Sequence, residues 1–332
     1  MSAPFFSVIV PSYNRARMLR SALETVRWQD CPDWECFVVD DGSTDDTAAV
    51  LDACAGDARF RVIRSPKNEG MNASRNKALR EARGRFVTFL DSDDLWLPGR
   101  LAAFRTRAEQ GPEAGFLFSN AWLLRFDRVV GLLFDPAREV PEGPVPGHYA
   151  IGEGRLPYVT TNVAIRRDAF ERWGLFRTEM KTLDTELFAR FLREGLPVAV
   201  LREPLSVRRM HEGQLTVRWE ENFQEAMTAL TASGADEAET RRLRAQIACE
   251  MAGYLLKGGR PDEVRPFLRR ELGAGAASRP EWWFSYAPAA LLRALKSARA
   301  LWLKTRFHPA FAPISYGDVL SKVEPLLRKE VD

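Results

Sequence analysis

The feature that most constrains this chain is a rhythm in its first hundred residues. Short apolar runs alternate with amphipathic segments, and three of the runs end in polar clusters. Phe6–Val10, Glu35–Val39, Phe60–Ile63 and Phe86–Leu90 are mostly apolar, as strands covered on both faces are. Residues Ala16–Gln29 place Leu19, Leu23 and Val26 on one side of a helix. A second helix is expected from Thr44 to about Ala55, with acids in the first turn where the dipole favours them, and a third over Asn72–Arg83. Strands and helices at this spacing predict a mostly parallel sheet with right-handed crossovers. Ligands of such sheets bind beyond the C-terminal strand ends. Ser12-Tyr13-Asn14, Asp40-Asp41-Gly42-Ser43 and Asp91-Ser92-Asp93-Asp94 all fall there, on one rim.

After Pro98 the alternation stops. A helix near Gly99–Gln110 precedes short strands at Phe116–Phe118 and Val129–Phe134, and the Pro/Gly-rich stretch Pro136–Gly147 reads as a loop over the site. Further strands are expected at Val159–Ile165, Val198–Leu201 and Leu205–Met210, with an amphipathic helix over Asp184–Glu194. From Trp219 the pattern is helical, which sets a boundary near Arg218. The chain then divides into a domain of residues 1–218, with halves of about 1–98 and 99–218, and a helical C-terminal region of 219–332.

With 48 basic and 45 acidic side chains the formal charge is +3, too balanced for nucleic acid as a global partner. The four cysteines, Cys31, Cys36, Cys54 and Cys249, have no zinc-like spacing and are too few for a disulfide scaffold. They read as reduced, buried thiols. The opening MSAPFFSVIV lacks a basic leader, and no apolar run reaches the roughly 20 residues of a membrane span. A cytoplasmic protein is expected, one that can rest peripherally on the inner face of the cell membrane.

The acidic cluster at 91–94 carries the first chemistry. Carboxylates crowded at a strand end repel one another, and a hard divalent cation relieves that repulsion. Mg2+ or Mn2+ accepts carboxylate and phosphate oxygens together, so the cluster suits a metal shared with a diphosphate. Asp91 and Asp93 are assigned to ribose and metal; Asp94 alone reads as the cap of a helix starting at Leu95-Trp96-Leu97-Pro98. Asp41 can accept a hydrogen bond from a base imide, and Gly42 allows a sharp turn after it. Ser43, Thr44 and Asp45 read as a helix cap and first turn. Tyr13 is placed to stack on a nucleobase.

SVIVPSYNR, VVDDGSTDDT, NEGMNASRNKAL and FLDSDD, in this order and spacing, resemble family 2 of the glycosyltransferases, over about residues 6–216. The resemblance implies an α/β GT-A fold and inverting, non-processive transfer from a nucleotide-diphosphate sugar, with UDP the carrier and Mn2+ or Mg2+ the cofactor. It places Pro11 and Tyr13 in the nucleotide pocket, Asp41 at the base, and Asn68, Gly70 and Arg75 beside base and phosphates. For Arg75 a solvated helix face is an equal alternative. Asp91 falls near the ribose and Asp93 at the metal.

Trp173-Gly174-Leu175-Phe176 followed by Leu183-Asp184-Thr185-Glu186 resembles the family segment that carries the general base. Two adjacent acids are usual there; this chain has Leu183 before Asp184. Asp184 is also read as a helix N-cap, and both roles can hold together. The segment from Arg209 to Thr216 resembles the closing segment, which implies His211 as a metal ligand; Arg209 is its phosphate partner. Gln214 and Arg218-Trp219 look like the QxxRW signature of processive synthases, but the spacing is one residue too long.

No acid occurs between Glu281 and Asp318, whereas Arg293, Lys296, Arg299, Lys304 and Arg306 are present beside an apolar stripe of Leu291, Leu295, Ala298 and Trp302. A basic amphipathic helix over about 282–307 can lie on an anionic bilayer. It can also pack on the catalytic domain or on a second subunit. The acceptor is expected to be a saccharide or a lipid-linked saccharide. Two other readings are a nucleotidyltransferase that makes nucleotide sugars and a sugar-nucleotide-binding protein without catalysis. The first lacks its glycine-rich loop, since Pro11-Ser12-Tyr13-Asn14-Arg15 follows the first strand; the second rests only on Leu183.

Overall fold

A computed structural model describes residues 3–54, 56–111, 113–125, 128–151, 156–181, 184–211, 219–286 and 321. Leu183, the glutamine-to-tryptophan spacing read between Gln214 and Arg218, and the stripe from Leu291 to Trp302 lie outside them.

The first half folds as its rhythm predicts. Strands β1 (Phe6–Ser12), β2 (Trp34–Asp40), β3 (Phe60–Arg64) and β4 (Phe86–Phe89) alternate with helices α1 (Ala16–Arg27), α2 (Thr47–Asp52) and α3 (Met71–Glu81). β1 pairs in parallel with β2 and β4, and β2 with β3, so all four C-terminal ends reach one rim. The chain continues through β5 (Leu95–Trp96), α4 (Arg100–Gln110), β6 (Phe116–Arg125), β7 (Arg128–Leu132), β8 (Val163–Arg166), α5 (Asp168–Trp173), α6 (Thr185–Arg193) and β9 (Val198–Arg209). Among the described residues nine strands form one sheet in the order β3-β2-β1-β4-β8-β6-β9-β5, with β7 beside β6. β8 runs antiparallel to both β4 and β6, so β6 and β9 point the same way as β4.

Apolar alternation along β1 and β2 splits the core. Ile9, Phe37 and Val39 face α3 and α6, while Val8, Val10 and Val38 face α1 and α4. Helices α7 (Trp219–Ala232), α8 (Glu237–Lys257), α9 (Pro261–Leu272) and α10 (Pro280–Phe284) pack behind α6. Phe223, Leu230, Ile247, Phe267 and Trp282 share one apolar cluster with Leu187, Phe188 and Phe191 of α6.

Four local expectations are corrected. Leu95-Trp96 is a short strand on β9 rather than a helix start, and the helix begins at Arg100, after Gly99 in the left-handed region. The helix read from Thr44 is shorter, because Asp45 spends one carboxylate oxygen on the Ala16 N–H of α1. The segments at 198–201 and 205–210 are one strand; extra residues bulge out around Arg202 and Pro204, so a proline that reads as a break is absorbed. The Pro136–Gly147 segment does not cover the site. Gly143 pairs with Val198 at the far end of β9, and Val140 and Val145 are buried there.

Candidate active site

The rim is stitched together by side chains that no helix needs. Asn14, at φ 50°, accepts the Thr44 N–H through Oδ1, and its own N–H donates to Ser43. These bonds fix the loops after β1 and β2 against each other. They also correct the reading of Ser43 and Thr44 as a helix cap. Pro11 lies buried in β1 opposite Val39, and Tyr13 just beyond it is exposed, with its ring free to cover a flat ligand.

Asp41 is buried, and its carboxylate accepts the N–H groups of Glu69 (3.0 Å) and Gly70 (2.8 Å). Asn68 Oδ1 accepts the same Gly70 N–H at 3.1 Å. Gly42 is required here: its φ is 78°, and a Cβ would stand 2.6 Å from the Lys67 carbonyl carbon. Asp41, Asn68 and Gly70, distant in sequence, thus form one corner.

A second corner centres on Arg75. Its side chain is fully buried, so the solvated-face alternative is corrected. The guanidinium lies 3.0 Å from Asp91 and 3.7 Å from Asp184, with the Phe89 and Phe176 ring centroids 5.5 and 5.3 Å away and packed edge to face against each other. Asp184 occupies the N-cap position of α6, but its side chain makes no cap hydrogen bond. It turns toward Arg75 instead. Burial raises the Asp184 pKa to about 6; Arg75 pulls it down and the charge of Asp91 pushes it up. Burial likewise raises Asp91.

A third corner holds the expected metal ligands. His211 Nε2 lies 2.9 Å from Asp93 Oδ2. Burial opposes ionisation of Asp93, but the His211 hydrogen bond and the charges of His211, Arg15 and Arg209 outweigh it and hold the carboxyl below its ordinary range. Arg209 is buried, with Nε donating to the Asp93 carbonyl and a terminal nitrogen to the Met18 carbonyl. Its backbone N–H goes to Asp94 Oδ1, so Asp94 fastens β9 rather than capping a helix. Burial pushes Asp94 well above the usual carboxylate range.

Sequence reasoning missed the supports. Asn72 and Asn76, one turn apart on α3, bind the backbone of Phe176, Arg177 and Met180 and so hold the segment leading to Asp184. Glu225 of α7 accepts the Lys181 N–H of that segment. Their i, i+4 spacing in NASRN was the available signal. Tyr158 is half-buried and near enough to feel the charge of Asp184, and desolvation raises its phenol pKa well above normal. Arg100, fully buried against Trp96 and Phe104, donates to the Thr161 carbonyl; burial lowers its pKa to about 9. Nothing in the local sequence marks either residue.

A parallel sheet extended by antiparallel strands, with acids gathered at the β4 end, defines a GT-A glycosyltransferase fold. The sequence model of glycosyl transferase family 2 matches residues 7–123. A Bacillus subtilis protein named as the glycosyltransferase EpsE is 31% identical over 217 residues, covering 61% of this chain and 72% of that one. This chain belongs to glycosyltransferase family 2. The B. subtilis protein TuaG, named for teichuronic acid biosynthesis, is 43% identical over 99 residues, which span 30% of this chain and only 39% of TuaG. The Escherichia coli UDP-Glc:alpha-D-GlcNAc-diphosphoundecaprenol beta-1,3-glucosyltransferase WfgD is 32% identical over 133 residues, 40% of this chain and 51% of that enzyme. Among solved structures, the mannosyltransferase PcManGT from Pyrobaculum calidifontis with GDP-Man and Mn2+ superposes with a TM-score of 0.56 at 20% identity, covering 100% of this chain and 87% of that one.

Proposed function

We propose that the protein is a metal-dependent, inverting glycosyltransferase that moves a hexosyl or N-acetylhexosaminyl group from a UDP-sugar to a hydroxyl of a saccharide or lipid-linked saccharide, in cell-surface polysaccharide or glycoconjugate assembly. One observation carries it: Asp184, a largely buried carboxylate whose pKa is raised to about 6, is joined through Arg75 to Asp91, which stands two residues before the Asp93 that meets His211. Asp184 takes the acceptor proton as the hydroxyl attacks the anomeric carbon from the side opposite the leaving diphosphate. A base of this pKa is mostly ionised at neutral pH yet still basic enough to receive a proton. The names of WfgD and PcManGT support the donor class, the lipid-linked acceptor and the metal.

Among the described residues no group of three or more His, Cys, Asp or Glu side chains gathers as a metal cage. Asp93 and His211 fit a different kind of site. One carboxylate oxygen and one imidazole nitrogen suit a Mn2+ ion that takes its remaining ligands from water and the donor's phosphates. Such an ion, when bound, neutralises charge that builds on the diphosphate. Asp41, Asn68, Gly70 and Tyr13 hold the nucleoside, and Asp91 the ribose.

A panel of sugar nucleotides, assayed for nucleotide diphosphate release with and without Mn2+, tests the reading. Release from none of them, with any saccharide acceptor, counts against transfer and leaves nucleotide binding. Asp93→Ala is expected to abolish the gain in donor affinity that Mn2+ confers. Equal Mn2+ enhancement in the variant, measured by calorimetry, refutes the metal assignment.

The location of the acceptor motivates a membrane contact. No helix among the described residues is long and apolar enough to cross a bilayer. Trp283, Phe284 and Tyr286 are exposed at the end of α10, within the acid-free stretch that runs from Glu281 to Asp318. Aromatic rings beside basic residues favour an anionic interface. The doubly substituted Trp283→Ala/Phe284→Ala protein is expected to lose most of its sedimentation with phosphatidylglycerol vesicles. Unchanged sedimentation, or none by the native protein, rules the contact out.

A further inference from the structure

Sequence reasoning selects Arg209 for the donor's phosphates, and the structure engages two of that guanidinium's nitrogens on the protein itself. Arg209 has committed its fork to the carbonyls of Asp93 and Met18. Successive residues of a strand point to opposite faces, so its neighbour Arg208 faces the other way.

The faces can be followed along β9. Val207 pairs with Leu95 and with Trp122, and these three pack with Leu97 and Leu124 in an outer cluster. Arg209, two residues on, shares that outer side and reaches α1. Ser206 pairs with Trp96, whose indole N–H donates to the Thr161 carbonyl at 3.0 Å. The Thr161 hydroxyl in turn accepts the Asp91 N–H at 3.4 Å. The Ser206 face is therefore the inner one, turned toward the rim beneath Asp91. Arg208 continues that face one step closer to the rim. It is half-buried, and its side chain makes no hydrogen bond or ion pair among the described residues. Its charge is nevertheless felt at Asp91 and Asp184.

We propose that Arg208 contacts the donor's diphosphate and stabilises it as it departs. Its place in the chain sets the geometry: His211 follows three residues later beside Asp93, and Asp91 and Asp184 are near enough to feel the Arg208 charge. A bond broken between the metal pair and the base lies in that interval. A planar guanidinium there can bind two phosphate oxygens at once, and its charge opposes the negative charge that accumulates as the sugar leaves. With no ion pair to a described residue, the cation is not already neutralised when the donor arrives. The bond that breaks is the one between the anomeric carbon and the diphosphate oxygen; its electron pair stays with the phosphate, and Asp184 carries away the acceptor proton.

This inference rests on the proposed transfer reaction, and the experiment separates the two. Binding of UDP and of UMP to the native protein is compared with binding to Arg208→Ala and Arg208→Lys, and turnover of the UDP-sugar is followed in each. The expected result is a native preference for UDP over UMP that falls about 10- to 100-fold in Arg208→Ala. Turnover drops about 100-fold or more, and Arg208→Lys recovers part of both. An unchanged preference in Arg208→Ala overturns the phosphate contact, even if turnover falls. A fall accompanied by a shift of the acidic pH limb would then mean that Arg208 acts only through Asp184. Failure of the native protein to bind UDP or turn over a UDP-sugar is a different outcome: it defeats the proposed UDP donor, and with it Arg208 as a contact to that donor's diphosphate.

Discussion

Asp184→Asn is expected to lower turnover about 100- to 10,000-fold, the range that a positioned general base contributes, while leaving nucleotide affinity almost unchanged. The asparagine keeps the shape and still fills the N-cap position of α6, but it cannot take a proton. The native enzyme should lose activity as pH falls through about 6, following protonation of this carboxyl. The residual activity of the variant should lack that limb. Misfolding is separable through the sign of the linkage. The Asp184 pKa is raised above its unfolded value, so its contribution to stability is fully present below about pH 4 and lost as pH rises through 6. At pH 7.5 the native fold therefore carries a buried, ionised carboxylate at a cost, and asparagine removes it. The variant should melt no lower than the native protein at that pH. Retention of native turnover by Asp184→Asn would remove Asp184 from the chemistry.

How far the sequence reaches is clearest at the three corners. Tyr13, Asp41 and Asp93 each follow an apolar run in a parallel arrangement, and local pattern suffices to bring them to one rim. His211 was placed through a resemblance, and it meets Asp93. Arg75 was ambiguous because α3 is polar on nearly every side; only the tertiary packing of Phe89 and Phe176 shows that its guanidinium is enclosed. The choice between Arg208 and Arg209 was beyond local pattern altogether. Which face of a strand looks at the site depends on register, and the β9 bulge around Pro204 changes that register in a way no periodicity count detects. Tyr158, Thr161 and Arg100 carry no local pattern that announces their places, near Asp184, on the Asp91 N–H and on the Thr161 carbonyl.

Arg75→Met tests the arrangement more severely than any ligand substitution. Methionine approximates the length of the arginine stem and can pack against the Phe89 and Phe176 rings, so little apolar packing is lost. What disappears is the one cation within salt-bridge distance of both Asp91 and Asp184 among the described residues. Breaking a fully buried pair from one side typically costs about 3–5 kcal/mol, and the cost here is smaller because Asp91 and Asp184 keep 30% and 14% of their side-chain exposure. Here two carboxylates are left, and they also repel each other. The variant should relieve this by holding protons: both pKa values should rise, stability should fall most at alkaline pH, and the acidic limb of the rate profile should move upward from about 6. Combining Arg75→Met with Asp91→Asn removes one of the two acids and should recover a large part of the melting temperature without recovering turnover. That split distinguishes a cation that sets the charge state of the site from one that merely fills the core. Arg75→Met melting like the native protein at pH 8, with its acidic limb unmoved, would show that the two carboxylates do not depend on it.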